Sequence, residues 1–223
     1  MLGHDLRGPL SGISMSTLLL TKPGLDEAAR HKAAARIKRA SAEMGGLITD
    51  LLEYTRTRLG AGMPMALADC DLGAVCEDAL EVIRAGAPEQ QFVQTLSGNL
   101  SLQADAPRLR QALSNLLGNA VQHGFPGAPI TVSASAEEDA VVLEVGNQGE
   151  PIATDSQLAI FEPLVRAPSS AAQSQDRSKT SLGLGLFIVR EIVLGHGGTI
   201  EVHSTAQTGT VFRVRLPRRH SVT

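Results

Sequence analysis

Residues 108–124, RLRQALSNLLGNAVQHG, decide how this chain is read. Leu109, Leu113, Leu116 or Leu117, and Val121 recur at helical spacing, so a stripe of this segment faces a core. Asn115 and Asn119 stand four apart and share a face of the same helix. Asn is a mediocre helix former that prefers caps, so a pair inside a helix is informative. Two amide oxygens one turn apart can reach one hard cation such as Mg²⁺, which takes oxygen ligands. The plainer reading is a solvated polar face, and the rest of the chain decides between the two.

The 223 residues suffice for one large domain or two small ones. The composition, 43% hydrophobic and 19% charged, is that of an ordinary soluble protein. Aromatics are 3% and Trp is absent, so the core must be aliphatic and Ala-rich. A net charge of -3 gives no electrostatic argument for nucleic acid or an anionic membrane. Cys70 and Cys76 fit no zinc pattern and suggest a reducing compartment. No apolar run reaches a membrane span, and Met1-Leu2-Gly3 is too short for a signal peptide, so a cytoplasmic location is expected. There is no internal repeat.

The chain opens on a helix through Ile13, Leu18, Leu19 and Leu20, closed by a turn at Pro23-Gly24. Asp26 suits the N-cap of a second helix reaching about Arg58. In it Ile37, Ala40, Met44, Leu47, Leu51 and Tyr54 keep a seven-residue pattern. Two helices bury too little alone, so two copies are expected to pair into a four-helix bundle. Pro9 has no N–H for the carbonyl of Asp5 and should bend the first helix one turn after His4. A neutral imidazole can act as a nucleophile, and an adjacent acid can fix its tautomer.

Residues 59–64 read as a linker. A strand is expected at 65–69, then a helix capped by Asp71 to about Arg84, and strands at 92–96 and 100–103. Asp105 opens the helix bearing the Asn pair. A hairpin spans 130–136 and 140–145, a short helix lies near 157–161, a longer helix spans 182–196, and strands at 199–204 and 211–216 close the chain. An antiparallel sheet with segregated helices makes an α+β two-layer sandwich. The expected organisation is a hairpin over 1–58, a linker over 59–64, the sandwich over 65–218 and a tail over 219–223.

Four short pieces accompany the Asn pair. In Val145-Gly146-Asn147-Gln148-Gly149-Glu150-Pro151-Ile152, the glycines admit a flat ligand close to the backbone. Asn147 could offer its oxygen to an amino group and its NH₂ to a ring nitrogen. Ile160-Phe161-Glu162-Pro163-Leu164 reads as packing that positions a loop. That loop, Val165 to Thr180, is polar, with Arg166, Arg177 and Lys179; as a lid it could bring cations to phosphates. Ser181-Leu182-Gly183-Leu184-Gly185-Leu186 opens a helix, where free N–H groups and the helix dipole suit phosphate. It is neither a dinucleotide fingerprint nor a Walker loop. Alone, each piece could be an ordinary turn or a disordered insert.

Together, and in order, these pieces resemble the boxes of sensor histidine kinases. His4-Asp5-Leu6-Arg7-Gly8-Pro9-Leu10 resembles the H box, and Asn115-Leu-Leu-Gly-Asn119-Ala the N box. Segments 145–152, 160–164, 181–186 and 208–212 resemble the G1, F, G2 and final Gly-Thr boxes. The resemblance covers nearly the whole chain. It implies a dimerisation and histidine-phosphotransfer hairpin followed by an ATP-binding domain of the Bergerat type. It implies that His4 is the phosphoacceptor and Asp5 its general base. Asn119, with Asn115 assisting, would hold Mg²⁺ on ATP, and Asn147 would read adenine. His123, Gly149, Arg166, Lys179, Gly183, Leu184, Gly185 and Thr210 would complete the nucleotide site. The implied partners are a second copy of the chain and a response-regulator receiver domain whose Asp takes the phosphoryl group. A phosphotransfer helix normally extends well before its His, so the chain is expected to be part of a longer sensor kinase. No nucleic-acid or membrane contact is expected of this part.

The sequence departs from the family's pattern at four positions. Asn147 stands where the family usually has Asp; a neutral hydrogen bond in place of a charge-assisted one loses ~1 kcal/mol, roughly fivefold in affinity. Gln122 replaces a usual basic residue, for which His123 is a partial substitute. Ser181 replaces the first glycine of its box. Gly8 stands where a polar side chain is associated with phosphatase activity, so that activity is expected to be weak. The alternative function is a kinase-like dimer that binds nucleotide or a partner without catalysis. An ATPase of the topoisomerase or chaperone type fits less well, because it has no use for the hairpin bearing His4.

Overall fold

The computed structural model describes residues 2–59, 63–165 and 183–219, with side chains from residue 6 onward. It opens on two helices, α1 (Leu2–Leu20) and α2 (Glu27–Arg58), packed side by side. α1 continues through Pro9. The turn between them uses Gly24 at φ +78°, and Asp26 caps α2 by accepting from the Ala29 N–H at 2.6 Å. Small residues let the pair approach: Ala33 and Ala40 are buried, as is Leu47.

The second part begins with β1 (Ala68–Asp71) and α3 (Leu72–Gly86), which Asp71 caps. β2 (Phe92–Ser97), β3 (Ser101–Ala104) and α4 (Ala106–His123) follow, α4 capped by Asp105. β4 (Ile130–Ala136) and β5 (Ala140–Asn147) form the hairpin. Two 3₁₀ turns, Thr154–Ser156 and Ala159–Phe161, lead to α5 (Gly185–Gly195), β6 (Thr199–Thr205) and β7 (Gly209–Pro217). The five-stranded sheet has the order β2-β4-β5-β7-β6, and β1 pairs with β3 apart from it.

Two details differ from the sequence expectation. The first strand lies at Ala68–Asp71 rather than 65–69. The Ala66 N–H is bonded at 2.9 Å to the Asp105 carboxylate, so residues before 68 serve the α4 cap instead of a ladder. β2 and β4 are parallel, because β3 and α4 carry the chain across between them.

One face of the sheet meets helices α3, α4 and α5. Alternation in β7 shows how: Thr210, Phe212, Val214 and Leu216 are buried, while Arg213 and Arg215 reach carboxylates of Glu137, Asp139 and Glu144 on the open face. Such exposed pairs add little stability; the apolar layer holds the fold. Buried His196 ties α5 to α4: its Nδ1 lies 2.7 Å from the Ile192 carbonyl and its Nε2 accepts from the Asp105 N–H at 2.9 Å. That pair of contacts fixes the neutral tautomer with the proton on Nδ1.

α2 also touches this layer. Glu53 pairs with Arg108 and accepts from Gln111 Nε2 at 2.8 Å, and Tyr54 meets Phe187 edge to face at 5.7 Å. Leu47 joins the same apolar cluster.

Candidate functional site

The site is built at one end of the helix-facing side of the sheet. Across β6, β7 and β5, Ser204 stands opposite Thr210, and Thr210 opposite Asn147. Directly opposed residues project to the same face, so these three polar side chains form a row. All are buried, at 8%, 4% and 8% exposure. The Ser204 and Thr210 hydroxyls lie 2.7 Å apart, and Ser204 Oγ accepts from the Ile152 N–H at 2.9 Å. Gln157 Nε2 donates to the carbonyls of Ile152 and Ser204 at 3.1 and 3.2 Å. The segment after Asn147 is thereby pinned to β6. Asn147 differs from its neighbours: its side-chain amide makes no hydrogen bond to any described residue. Its amide is thus left for a ligand or water to pair.

Gly149 brings this end against α4. Gly124 and Gly149 form an isolated bridge, and Phe125 N–H donates to the Gln148 carbonyl at 2.7 Å. A Cβ on Gly149 would collide with the carbonyl oxygen of His123. His123 itself is exposed, and the desolvating surroundings lower its pKa below the ordinary imidazole value. The shift favours its neutral form, in which it can offer a phosphate an N–H.

One and two turns back along α4, Asn119 and Asn115 are each half-buried. Asn115 Nδ2 donates to the Gly185 carbonyl at 3.3 Å, which leaves its Oδ1 for a cation. Asn119 makes no side-chain hydrogen bond to a described residue. Gly185 starts α5 beside Asn115, and its N-cap Leu184 supplies no capping side chain, so the first N–H groups of α5 lack a side-chain cap. Gly183 closes the loop base: its carbonyl accepts from the Leu164 N–H at 3.0 Å. At φ +67°, with a Cβ position 2.8 Å from the Val165 carbonyl oxygen, it must be glycine. Phe161 supports that base by packing edge to face on Phe212 at 6.2 Å.

The structure thus brings Asn115 to Gly185, and Gly149 to His123, with α4 as the common spine. Arg166, Lys179 and Ser181 lie outside the described residues, as do the side chains of His4 and Asp5 and residues 60–62 of the linker. Among the described residues no cluster of three or more His, Cys, Asp or Glu could hold a metal; amide oxygens are the donors available at this site. Sequence reasoning missed Ser204 and Gln157. Neither lies in a motif, and only the register of β6 against β7 reveals them.

Comparison with known proteins finds two matching domain families. Residues 104–220 match the histidine kinase-, DNA gyrase B- and HSP90-like ATPase family, and residues 1–60 match the His Kinase A (phospho-acceptor) domain. The chain is 34% identical over 215 residues to the probable sensor histidine kinase TcrY of Mycobacterium tuberculosis, covering 96% of this chain and 44% of that protein. It is 34% identical over 220 residues to the alginate biosynthesis sensor protein KinB of Pseudomonas aeruginosa, covering 96% and 35%. It superposes on full-length ShkA, solved in complex with AMPPNP, with a TM-score of 0.69 and 27% identity, covering 100% of this chain and 46% of that one. The chain spans less than half the length of these relatives. Through residues 104–220 this chain belongs to the histidine kinase-, DNA gyrase B- and HSP90-like ATPase family, joined to a His Kinase A (phospho-acceptor) domain in the arrangement of a histidine kinase catalytic core.

Proposed function

We propose that this chain transfers the γ-phosphoryl group of ATP to His4 and then to an Asp on a response-regulator receiver domain. The observation that carries the reading is the Asn147 amide, which has no hydrogen-bond partner among the described residues, beside a glycine-lined end of the sheet. Asn147 and Thr210 take the adenine, Gly149 keeps the pocket wall close, and Gly183, Leu184 and Gly185 meet the phosphates. Asn119 and Asn115 hold Mg²⁺ through their amide oxygens, and the ion neutralises phosphate charge. His123, Arg166 and Lys179 add phosphate contacts.

Phosphoryl transfer depends mainly on positioning and charge neutralisation. In the first step an imidazole nitrogen of His4 forms a bond to the γ-phosphorus as the bond to the β–γ bridging oxygen breaks, and ADP leaves. Asp5 accepts the imidazole proton. In the second step a receiver carboxylate takes the phosphoryl group and His4 is regenerated. The domain limits that serve this chemistry are 1–58 for the hairpin, 59–64 for the linker and 65–218 for the nucleotide-binding part. The hairpin pairs with a second copy through its exposed apolar side chains, among them Leu10, Met15, Leu18, Ile48 and Leu52. The reaction belongs in the cytoplasm, where ATP is supplied.

Incubation with γ-labelled ATP and Mg²⁺ tests the reading. Acid-labile label on the chain, lost in His4→Gln, is the expected result. Nucleotide binding without label would make the chain a non-catalytic kinase-like module. Gly8 gives a second test: a Cβ there meets nothing within 4 Å, so a polar side chain fits. Gly8→Thr or Gly8→Asn should raise dephosphorylation of a phosphorylated receiver; an unchanged rate refutes the role given to Gly8.

A further inference from the structure

We infer that the base end of the site accepts a 6-oxopurine nucleoside triphosphate as well as the 6-aminopurine one, because the Asn147 amide that faces the base can reverse its hydrogen-bonding polarity. This rests on the nucleotide-site reading above. A 6-aminopurine offers a donor at its exocyclic nitrogen and an acceptor at N1. A 6-oxopurine offers the opposite pair, an acceptor at O6 and a donor at N1. A site selects between them only if its own donors and acceptors are fixed.

No described residue fixes the Asn147 amide. The Asn147 amide carries a donor end and an acceptor end. It makes no hydrogen bond to a described residue, so neither end is preferred by those residues. Turning the amide over exchanges C=O for NH₂ at the same place. Beside it on the same face, Thr210 shares its hydroxyl with Ser204 at 2.7 Å, and either oxygen can be the donor. When Ser204 donates, the Thr210 proton is released toward the ligand. When Thr210 donates, Ser204 accepts from both Thr210 and the Ile152 N–H at 2.9 Å, and Thr210 presents a lone pair. In the second arrangement the Ser204 proton has no acceptor among the described residues, so the first is favoured and the reversal rests on the Asn147 amide. A carboxylate at position 147 would behave differently: it only accepts, and it would face O6 lone pair to lone pair. A site with fixed polarity rejects the mismatched partner by orders of magnitude, because its buried groups are left unpaired.

The test is calorimetric titration of the whole chain with ATP, ITP, GTP and UTP in Mg²⁺, repeated on Asn147→Asp. ITP isolates the 6-oxo group, since it lacks the 2-amino group of GTP. The expected wild-type result is ITP binding within about tenfold of ATP, with UTP weaker than both. In Asn147→Asp the ATP-to-ITP preference should rise by at least about tenfold. ATP binding with ITP more than about a hundredfold weaker overturns the inference and leaves the nucleotide site standing. UTP as tight as ITP overturns it too, since the grip would then lie in the phosphates. If no nucleotide binds, the site reading fails and the inference falls with it. The wild-type ratio decides the matter even if Asn147→Asp fails to fold.

Discussion

The hairpin and the sheet layer use apolar residues in opposite ways. In the layer, Leu72, Leu80, Leu113, Leu117, Ile188 and Leu216 are wholly buried, and the cluster continues through all three helices. In the hairpin the buried positions are mostly small, and Leu18, Met15 and Leu52 are 63%, 64% and 55% exposed. A surface of that kind signals an interface rather than a core. The layer therefore carries its own stability, whereas the hairpin leaves an apolar stripe exposed, the face through which the proposed pairing would act.

The largest effect expected from this contrast is in the layer. Leu117→Ala removes a fully buried side chain at the centre of α4 and should cost about 3 kcal/mol in urea denaturation. Leu52→Ala on α2 should stay within about 0.5 kcal/mol at concentrations where the chain is monomeric. Similar losses at both sites would break the comparison.

The next effect lies where the two regions meet. Glu53→Ala leaves the half-buried Arg108 guanidinium without its carboxylate and Gln111 without its acceptor. A loss of about 2 kcal/mol is expected, below the value for a fully buried pair because Arg108 is partly solvated. Glu53→Ala with no effect on the unfolding midpoint would mean that α2 and the layer are energetically independent.

A smaller effect concerns association. Leu52→Glu puts a charge on the exposed stripe and should weaken self-association at least tenfold, or about 1.4 kcal/mol, read by light scattering across a dilution series. The urea midpoint of the layer should not move. An unchanged dimer would place the interface elsewhere.

Much of this was legible in the sequence because it is local. Asp26, Asp71 and Asp105 each cap the helix assigned to them, since capping needs only a carboxylate just before a helical stripe. The turn at Gly24 and the hairpin around residues 137–139 are equally local. What could not be read depends on contacts between distant segments. The parallel pairing of β2 with β4 is set by how β3 and α4 cross over. Ser204 matters only because β6 lies beside β7 in the register that opposes it to Thr210. His196 looked like a helix end, and its contact with the Asp105 N–H spans most of the second part. At the site, glycines and asparagines were found by spacing, while the lack of a partner for Asn147 among the described residues is a property of the packed structure alone.

The smallest expected effect is on pH dependence, and it separates the two regions most finely. Asp50 on α2 has its pKa raised from 3.8 to about 6, chiefly by burial and further by the nearby Glu53. An acid raised in the folded state binds its proton more tightly there than when unfolded. Its contribution is complete below the unfolded pKa and is lost as pH rises through about 6. Asp50→Asn removes that titration. Its thermal midpoint should match wild type near pH 4 and exceed it near pH 8, the gap opening between those values. A gap independent of pH would show that Asp50 does not titrate as placed. Because part of the shift comes from Glu53, the gap should narrow in a Glu53→Gln background, where Asp50 no longer faces a neighbouring carboxylate. An unaltered gap there would leave burial on α2 as the whole cause, and would uncouple Asp50 from the contact that ties the hairpin to Arg108.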